Sequence, residues 1–117
     1  GRDSGWIALN SGISGGADVI LIPEIPFDMD HVCEKIAEND LHGKHYSIVV
    51  VAEGASAKDS DVKCKKNACE VGRQEVLLGG IGEWVAGQIR EKTEKDTRSL
   101  VLGHLQRGGS PTTFDRL

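Results

Sequence analysis

A histidine, a glutamine and an arginine lie close together near the end of this chain, in Leu100-Val101-Leu102-Gly103-His104-Leu105-Gln106-Arg107-Gly108-Gly109-Ser110-Pro111. His104 and Arg107 can both donate to anionic oxygens, and arginine does so through a planar fork that matches phosphate. The glycine pair lets backbone approach a ligand closely. The apolar run before them reads as a buried strand, and Gly-Gly-Ser-Pro as the turn that ends it. In open α/β sheets ligands sit in the crevice outside the carboxyl ends of the strands, so this placement suits an anionic ligand such as a phosphate. An ordinary strand with a solvated basic end fits the same residues, and no unique spacing separates the two.

A second chemical group ends the clearest strand of the chain. Tyr46-Ser47-Ile48-Val49-Val50-Val51-Ala52 is apolar without alternation, as expected of a strand buried on both faces of a parallel sheet, and it runs into Glu53-Gly54. A carboxylate there either caps a turn or accepts hydrogen bonds from ligand hydroxyls. Arg2 precedes a predicted helix over Trp6, Ile7, Leu9, Asn10 and Ile13, capped by Asp3 or Ser4 and stopped by Gly15-Gly16. It is either an anion contact at a helix N-terminus or a surface arginine. Lys58, Lys63, Lys65 and Lys66 lie in a polar stretch without period, Ala55 to Gly72, which reads as an exposed loop or insertion. Gly79-Gly80-Ile81-Gly82 follows no strand and lacks the full dinucleotide fingerprint. Cys64 and Cys69 have no further ligand pair at zinc spacing.

The elements that must position these groups alternate. Asp18-Val19-Ile20-Leu21-Ile22 is a short strand stopped by Pro23-Glu24-Ile25-Pro26. Asp28 caps a helix whose face carries Met29, Val32, Cys33, Ile36 and Ala37, ended by Gly43. Ile81, Trp84, Val85 and Ile89 predict another helix, and Arg98 leads into the strand before His104. Strands separated by helices imply right-handed crossovers and an α/β fold, a mostly parallel sheet flanked by helices. Parallel strands share a carboxyl end, so Glu53 and His104–Arg107 are expected on one edge of the sheet.

Size and charge bound the rest. The chain has 117 residues, enough for one domain or less. Gly1 at its start and Leu117 just after a turn predict a piece of something longer. A formal charge of −4 argues against nucleic acid or an anionic membrane as the partner. No apolar run is long enough to span a bilayer and no signal-peptide pattern is present. Three cysteines in an acidic α/β chain predict reduced thiols and a cytoplasmic protein.

Val49-Val50-Val51-Ala52-Glu53-Gly54, followed by Val101 through Pro111, closely resembles the 6-phosphofructokinase family, as do Gly1-Arg2-Asp3-Ser4-Gly5-Trp6-Ile7-Ala8 and Gly15-Gly16-Ala17-Asp18. The likeness runs over nearly the whole chain and is least secure near Ala55–Gly80. It implies that residues 1–117 are the fructose 6-phosphate-binding lobe of a phosphofructokinase domain, with a loop insertion near 55–80. The implied reaction is phosphoryl transfer to the 1-hydroxyl of fructose 6-phosphate, with Mg2+ and with ATP or pyrophosphate as donor. Position by position, the resemblance assigns Gly1 and Arg2 to the end of a Met-Gly-Arg motif contacting the sugar phosphate and the transferring group. It assigns Glu53 to the sugar hydroxyls, and His104, Leu105, Gln106 and Arg107 to sugar-phosphate contacts. Arg98 matches an arginine that in bacterial enzymes reaches into the neighbouring subunit's sugar site, which implies a homo-oligomer. Gly16, Asp18 and Lys44 align with an effector site of allosteric members, where His42 replaces a basic residue. The family's catalytic aspartate and donor loop lie outside these residues, so no catalytic residue is expected here and this stretch alone is expected to be inactive. The Arg-Asp-Ser-Gly-Trp-Ile-Ala opening and the insertion look more like the mixed ATP/pyrophosphate branch. A pyrophosphate-dependent phosphotransferase and a non-catalytic regulatory subunit are the alternatives to an ATP-dependent kinase.

Overall fold

The computed structural model describes residues 4–58, 80–103, 105 and 108–116. Its elements are α1 (Trp6–Ser14), β1 (Val19–Leu21), α2 (Met29–Leu41), β2 (Val49–Val51), a helix α3 over 80–93, and a short α4 (Thr113–Arg116). β1 and β2 pair in parallel, with Val19 opposite Val49 and Leu21 opposite Val51. The expected α/β fold with parallel strands is borne out in these elements.

Alternation along the strands sorts the layers. Successive strand side chains point to opposite faces. Val19, Leu21, Val49 and Val51 join Phe27, Met29, Val32, Ile36, Val85 and Ile89 in one core, which places α2 and α3 on that face. Ile20 faces the other way, against α1. Helices therefore cover both sides of the strand pair.

α2 forms as its sequence predicts. The Asp28 carboxylate accepts from the Asp30 amide at 2.9 Å, satisfying one of the free donors of the first turn. Met29, Val32 and Ile36 are buried, Cys33 is half-buried, and Ala37 at the edge of the stripe is exposed. The helix ends at Leu41, and Gly43 takes φ +82°, which favours glycine. α3 is tied to α2 by Lys92 on Asp30 (3.0 Å), and Lys95, just beyond α3, reaches Asp40 (2.6 Å).

Three expectations fail in instructive ways. α1 packs on the sheet through its small residues, not its large ones. Gly5, Ala8 and Gly12 are buried, whereas Trp6, Ile7 and Ile13 are exposed. A β-carbon on Gly5 would lie 2.5 Å from Ile22 Cβ, where nothing can give way cheaply, and one on Gly12 would lie 2.6 Å from Ile20 Cδ1, whose side-chain end would have to move. Its N-cap is Gly5 with no side-chain cap; instead the Gly5 amide donates to Glu24 Oε1 at 2.8 Å.

The run Leu100-Val101-Leu102 is not a buried strand. These residues are 74%, 72% and 51% exposed, and among the described residues no strand lies beside them. An apolar run becomes a strand only when a neighbour accepts its backbone hydrogen bonds. The stretch expected from Ala55 onward as an exposed loop or insertion is not exposed at its start. Ala55 is buried, Phe27 and Ala57 form a parallel bridge, and Lys58 donates to the Phe27 carbonyl at 2.6 Å. The remainder of that insertion, residues 59–79, lies outside the described residues. Among the described residues no helix is long and apolar enough to cross a membrane.

Candidate functional site

The expected site residues divide sharply. Gly1, Arg2, His104, Gln106 and Arg107 lie outside the described residues, whereas Glu53, Arg98 and Leu105 lie within them. Glu53 stands in the turn that follows β2, at the carboxyl end of the strand pair and open to solvent. The Ala55 amide donates to the Ala52 carbonyl at 3.0 Å, closing that turn beneath it. This is the edge on which a ligand of an open parallel sheet is held. Leu105 is exposed, and its carbonyl accepts from the Gly108 amide at 3.1 Å. Gly109 takes φ +92°, a conformation L side chains rarely adopt, so the backbone of this turn requires glycine at 109. The expected convergence of Glu53 with His104–Arg107 rests on residues that are not described.

Arg98 stands well exposed, its side chain 89% accessible, with Asp96 at 3.7 Å as its nearest charged partner. An arginine so solvated is free to engage an anion.

The expected effector residues are brought together. Lys44 Nζ lies 2.6 Å from Asp18 Oδ1, the Ile48 amide donates to Asp18 Oδ2 at 2.8 Å, and Gly16 sits just before them at φ +69°. Lys44 also lies over the Tyr46 ring, 4.9 Å from its centroid. Both Asp18 oxygens are thus engaged, and its side chain is only 8% exposed. The hydrogen bond from Lys44, seconded by the Ile48 amide, holds the Asp18 carboxyl below the usual carboxylate range, and the same pairing raises the Lys44 ammonium. A carboxyl whose folded pKa is depressed contributes stability that is fully present above its unfolded value and lost as pH falls through the folded one. Thermal stability of the wild type should therefore fall below about pH 4, and Asp18→Asn should be less stable at neutral pH and flatter across that acid window. Melting curves between neutral and acid pH check this; parallel curves for the two proteins would contradict it.

A groove of about 550 Å3 lies elsewhere, between α2 and α3, lined by Asp30, Cys33, Asp40, Lys92 and Lys95 among others. It touches none of Glu53, Arg98 or Leu105, and its lysines are already paired with Asp30 and Asp40. Burial pushes the Cys33 thiol up, away from reactivity. Among the described residues no group of three His, Cys, Asp or Glu side chains is placed to hold a metal ion.

Comparison with known proteins assigns this arrangement to a class. The phosphofructokinase family matches residues 1–117, and the chain belongs to that family. An ATP-dependent 6-phosphofructokinase of Chloroflexus aurantiacus is 52% identical over 117 residues, all of this chain and 31% of its own length. A pyrophosphate–fructose 6-phosphate 1-phosphotransferase of Streptomyces coelicolor is 48% identical over 116 residues, 99% of this chain and 33% of its own. The chain thus spans about a third of the length of these relatives. Among solved structures, phosphofructokinase of Pichia pastoris in the T-state matches with a TM-score of 0.67 and 33% identity, over 99% of this chain and 11% of that one.

The sequence missed Glu83, Arg90 and Ser99, which hold the segment bearing Arg98. Arg90 Nε donates to the Thr97 carbonyl at 2.7 Å, Arg90 Nη1 lies 3.1 Å from Glu83 Oε1, and the Ser99 hydroxyl donates to Glu83 Oε2. The only signal was the Glu83–Arg90 spacing of two helical turns, which gives no hint of what the pair grips.

Proposed function

We propose that this chain is the sugar-phosphate-binding part of an ATP-dependent 6-phosphofructokinase that transfers the terminal phosphoryl group of ATP to the 1-hydroxyl of fructose 6-phosphate. The observation that carries the reading is the whole-chain match to the family, with ATP-dependent relatives 52% identical. The residue chemistry supports it. A sugar phosphate bears nearly two negative charges, which Arg107, His104 and Arg2 meet with charge-assisted hydrogen bonds, while Glu53 accepts from sugar hydroxyls. Gly1, Leu105 and Gln106 are further substrate contacts in this reading, and Arg98 serves the site of a neighbouring subunit in a homo-oligomer.

Phosphoryl transfer needs positioning and charge stabilisation more than covalent help from the protein. In this reading the present residues hold the acceptor so that its 1-hydroxyl faces the donor. Magnesium accompanying the donor phosphates would supply charge neutralisation to the transferring group. The group that takes the hydroxyl proton lies in the remainder of the enzyme, so residues 1–117 alone bind without turning over. Gly16, Asp18 and Lys44 form an effector corner in the same reading, where a phosphate meets Lys44 only by opening its pair with Asp18. Three cysteines in an acidic α/β chain support a cytoplasmic location in this reading.

The pyrophosphate-dependent relative at 48% identity favours a second reading, in which the donor is pyrophosphate. Assaying the full-length enzyme with fructose 6-phosphate and each donor separates them: fructose 1,6-bisphosphate formed with ATP supports the first, and product with pyrophosphate alone supports the second.

A further inference from the structure

We propose that Glu83 and Arg90 are positioning residues that present Arg98 to the neighbouring sugar-phosphate site, a role that rests on the reading of Arg98 as a contact across subunits. The two side chains lie two turns apart on α3, so they share one face of the helix. After α3 the chain turns at Glu94, at φ +57°, and residues 97–99 come back against that face. The turn is pinned by Thr93, whose hydroxyl donates to the Ile89 carbonyl at 2.6 Å, and by the Thr97 hydroxyl, which donates to the Lys95 carbonyl at 3.1 Å.

Arg98 is held from both sides. On one side its predecessor's carbonyl accepts from Arg90; on the other its successor's hydroxyl donates to Glu83; and Arg90 and Glu83 are paired with each other. The flanking residues are thus committed to α3, while the guanidinium between them stands in solvent. α3 is anchored in turn by Val85 and Ile89 in the core. A long side chain on a free loop would lose more rotational freedom on engaging a phosphate, and the clamp removes the backbone share of that loss beforehand.

Steady-state kinetics of the full-length enzyme test this with Glu83→Ala, Glu83→Gln and Arg98→Ala, alone and with both alanine substitutions combined. Arg98→Ala should raise KM for fructose 6-phosphate at least tenfold, and Glu83→Ala by roughly tenfold with kcat and the donor KM within about twofold. Glu83→Gln, which keeps an oxygen to accept from Ser99, should recover most of the affinity. In the Arg98→Ala background, Glu83→Ala should add nothing further, because the two act as one unit. A Glu83→Ala effect that persists undiminished without Arg98 would show a merely structural role and overturn the proposal. So would an unchanged KM in well-folded Glu83→Ala and Glu83→Gln alongside a raised KM in Arg98→Ala. An unchanged KM in Arg98→Ala itself would instead overturn the reading beneath the proposal, and the proposal with it.

Discussion

Arg107→Ala in the full-length enzyme is expected to lower kcat/KM for fructose 6-phosphate by about a hundredfold, since charge-assisted hydrogen bonds are each worth roughly 1.5–3 kcal/mol. A planar guanidinium meets two phosphate oxygens at once, and removing it leaves a dianion facing a site with one fewer counter-charge. The loss should fall mainly on sugar-phosphate use, with the KM for the phosphoryl donor little altered. Arg107→Lys should restore only part of the activity, because an ammonium offers a point charge without the fork. Next in the sequence, the Gly108 amide donates to the Leu105 carbonyl, and Gly109 holds a φ of +92° that other residues resist. Initial-rate measurements across fructose 6-phosphate concentrations decide it, and an unchanged kcat/KM would refute the role given to Arg107.

The largest loss of stability is expected at Phe27. Phe27→Ala should destabilise the fold by about 3–5 kcal/mol, the range for deleting a buried aromatic ring. Its side chain is only 6% exposed and meets the Trp84 ring of α3 at 6.4 Å, tilted by 56°. Its backbone accepts from Lys58 and donates to the Ser56 carbonyl at 2.9 Å. One residue therefore joins the loop after β1, the segment after Glu53 and the helix that carries the Arg98 clamp. Phe27→Leu should recover more than half of the loss, since it refills much of the volume. Denaturant melts of the full-length enzyme measure both, and a loss below about 1 kcal/mol would show that this junction is not where the lobe is held together.

What could be read from the sequence was whatever is settled by local pattern. The Asp28 cap, the Met29–Val32–Ile36 stripe and Gly43 each act within one helix, so α2 emerges with its expected start and end. The valine run of β2 has its partner close by in β1, and the parallel pairing follows. Long-range partners were not legible. Leu100–Leu102 has the composition of a strand, yet composition supplies no neighbour to accept its hydrogen bonds. In α1 the large apolar residues whose spacing predicts the helix, Trp6, Ile7 and Ile13, are exposed. The better signal was the small-residue spacing of Gly5, Ala8 and Gly12, which marks where a helix can approach a sheet closely.

The candidate site followed the same rule. The placement of Glu53 beyond β2 came from strand polarity alone, and the Asp18–Lys44 pairing joins two residues assigned together by family likeness. The Glu83–Arg90 clamp was invisible because it depends on how the chain turns at Glu94 and returns to α3. A short motif can name the residues that touch a ligand, whereas the groups that hold those residues are set by tertiary contacts.

The measurement with the most direct bearing is product formation by the full-length enzyme given fructose 6-phosphate, magnesium and either ATP or pyrophosphate. Fructose 1,6-bisphosphate should accumulate with ATP, in proportion to ADP released, and little should form with pyrophosphate. ADP release without a phosphorylated sugar, or no fructose 1,6-bisphosphate with either donor, would contradict the assignment of this chain to the acceptor side of a phosphofructokinase.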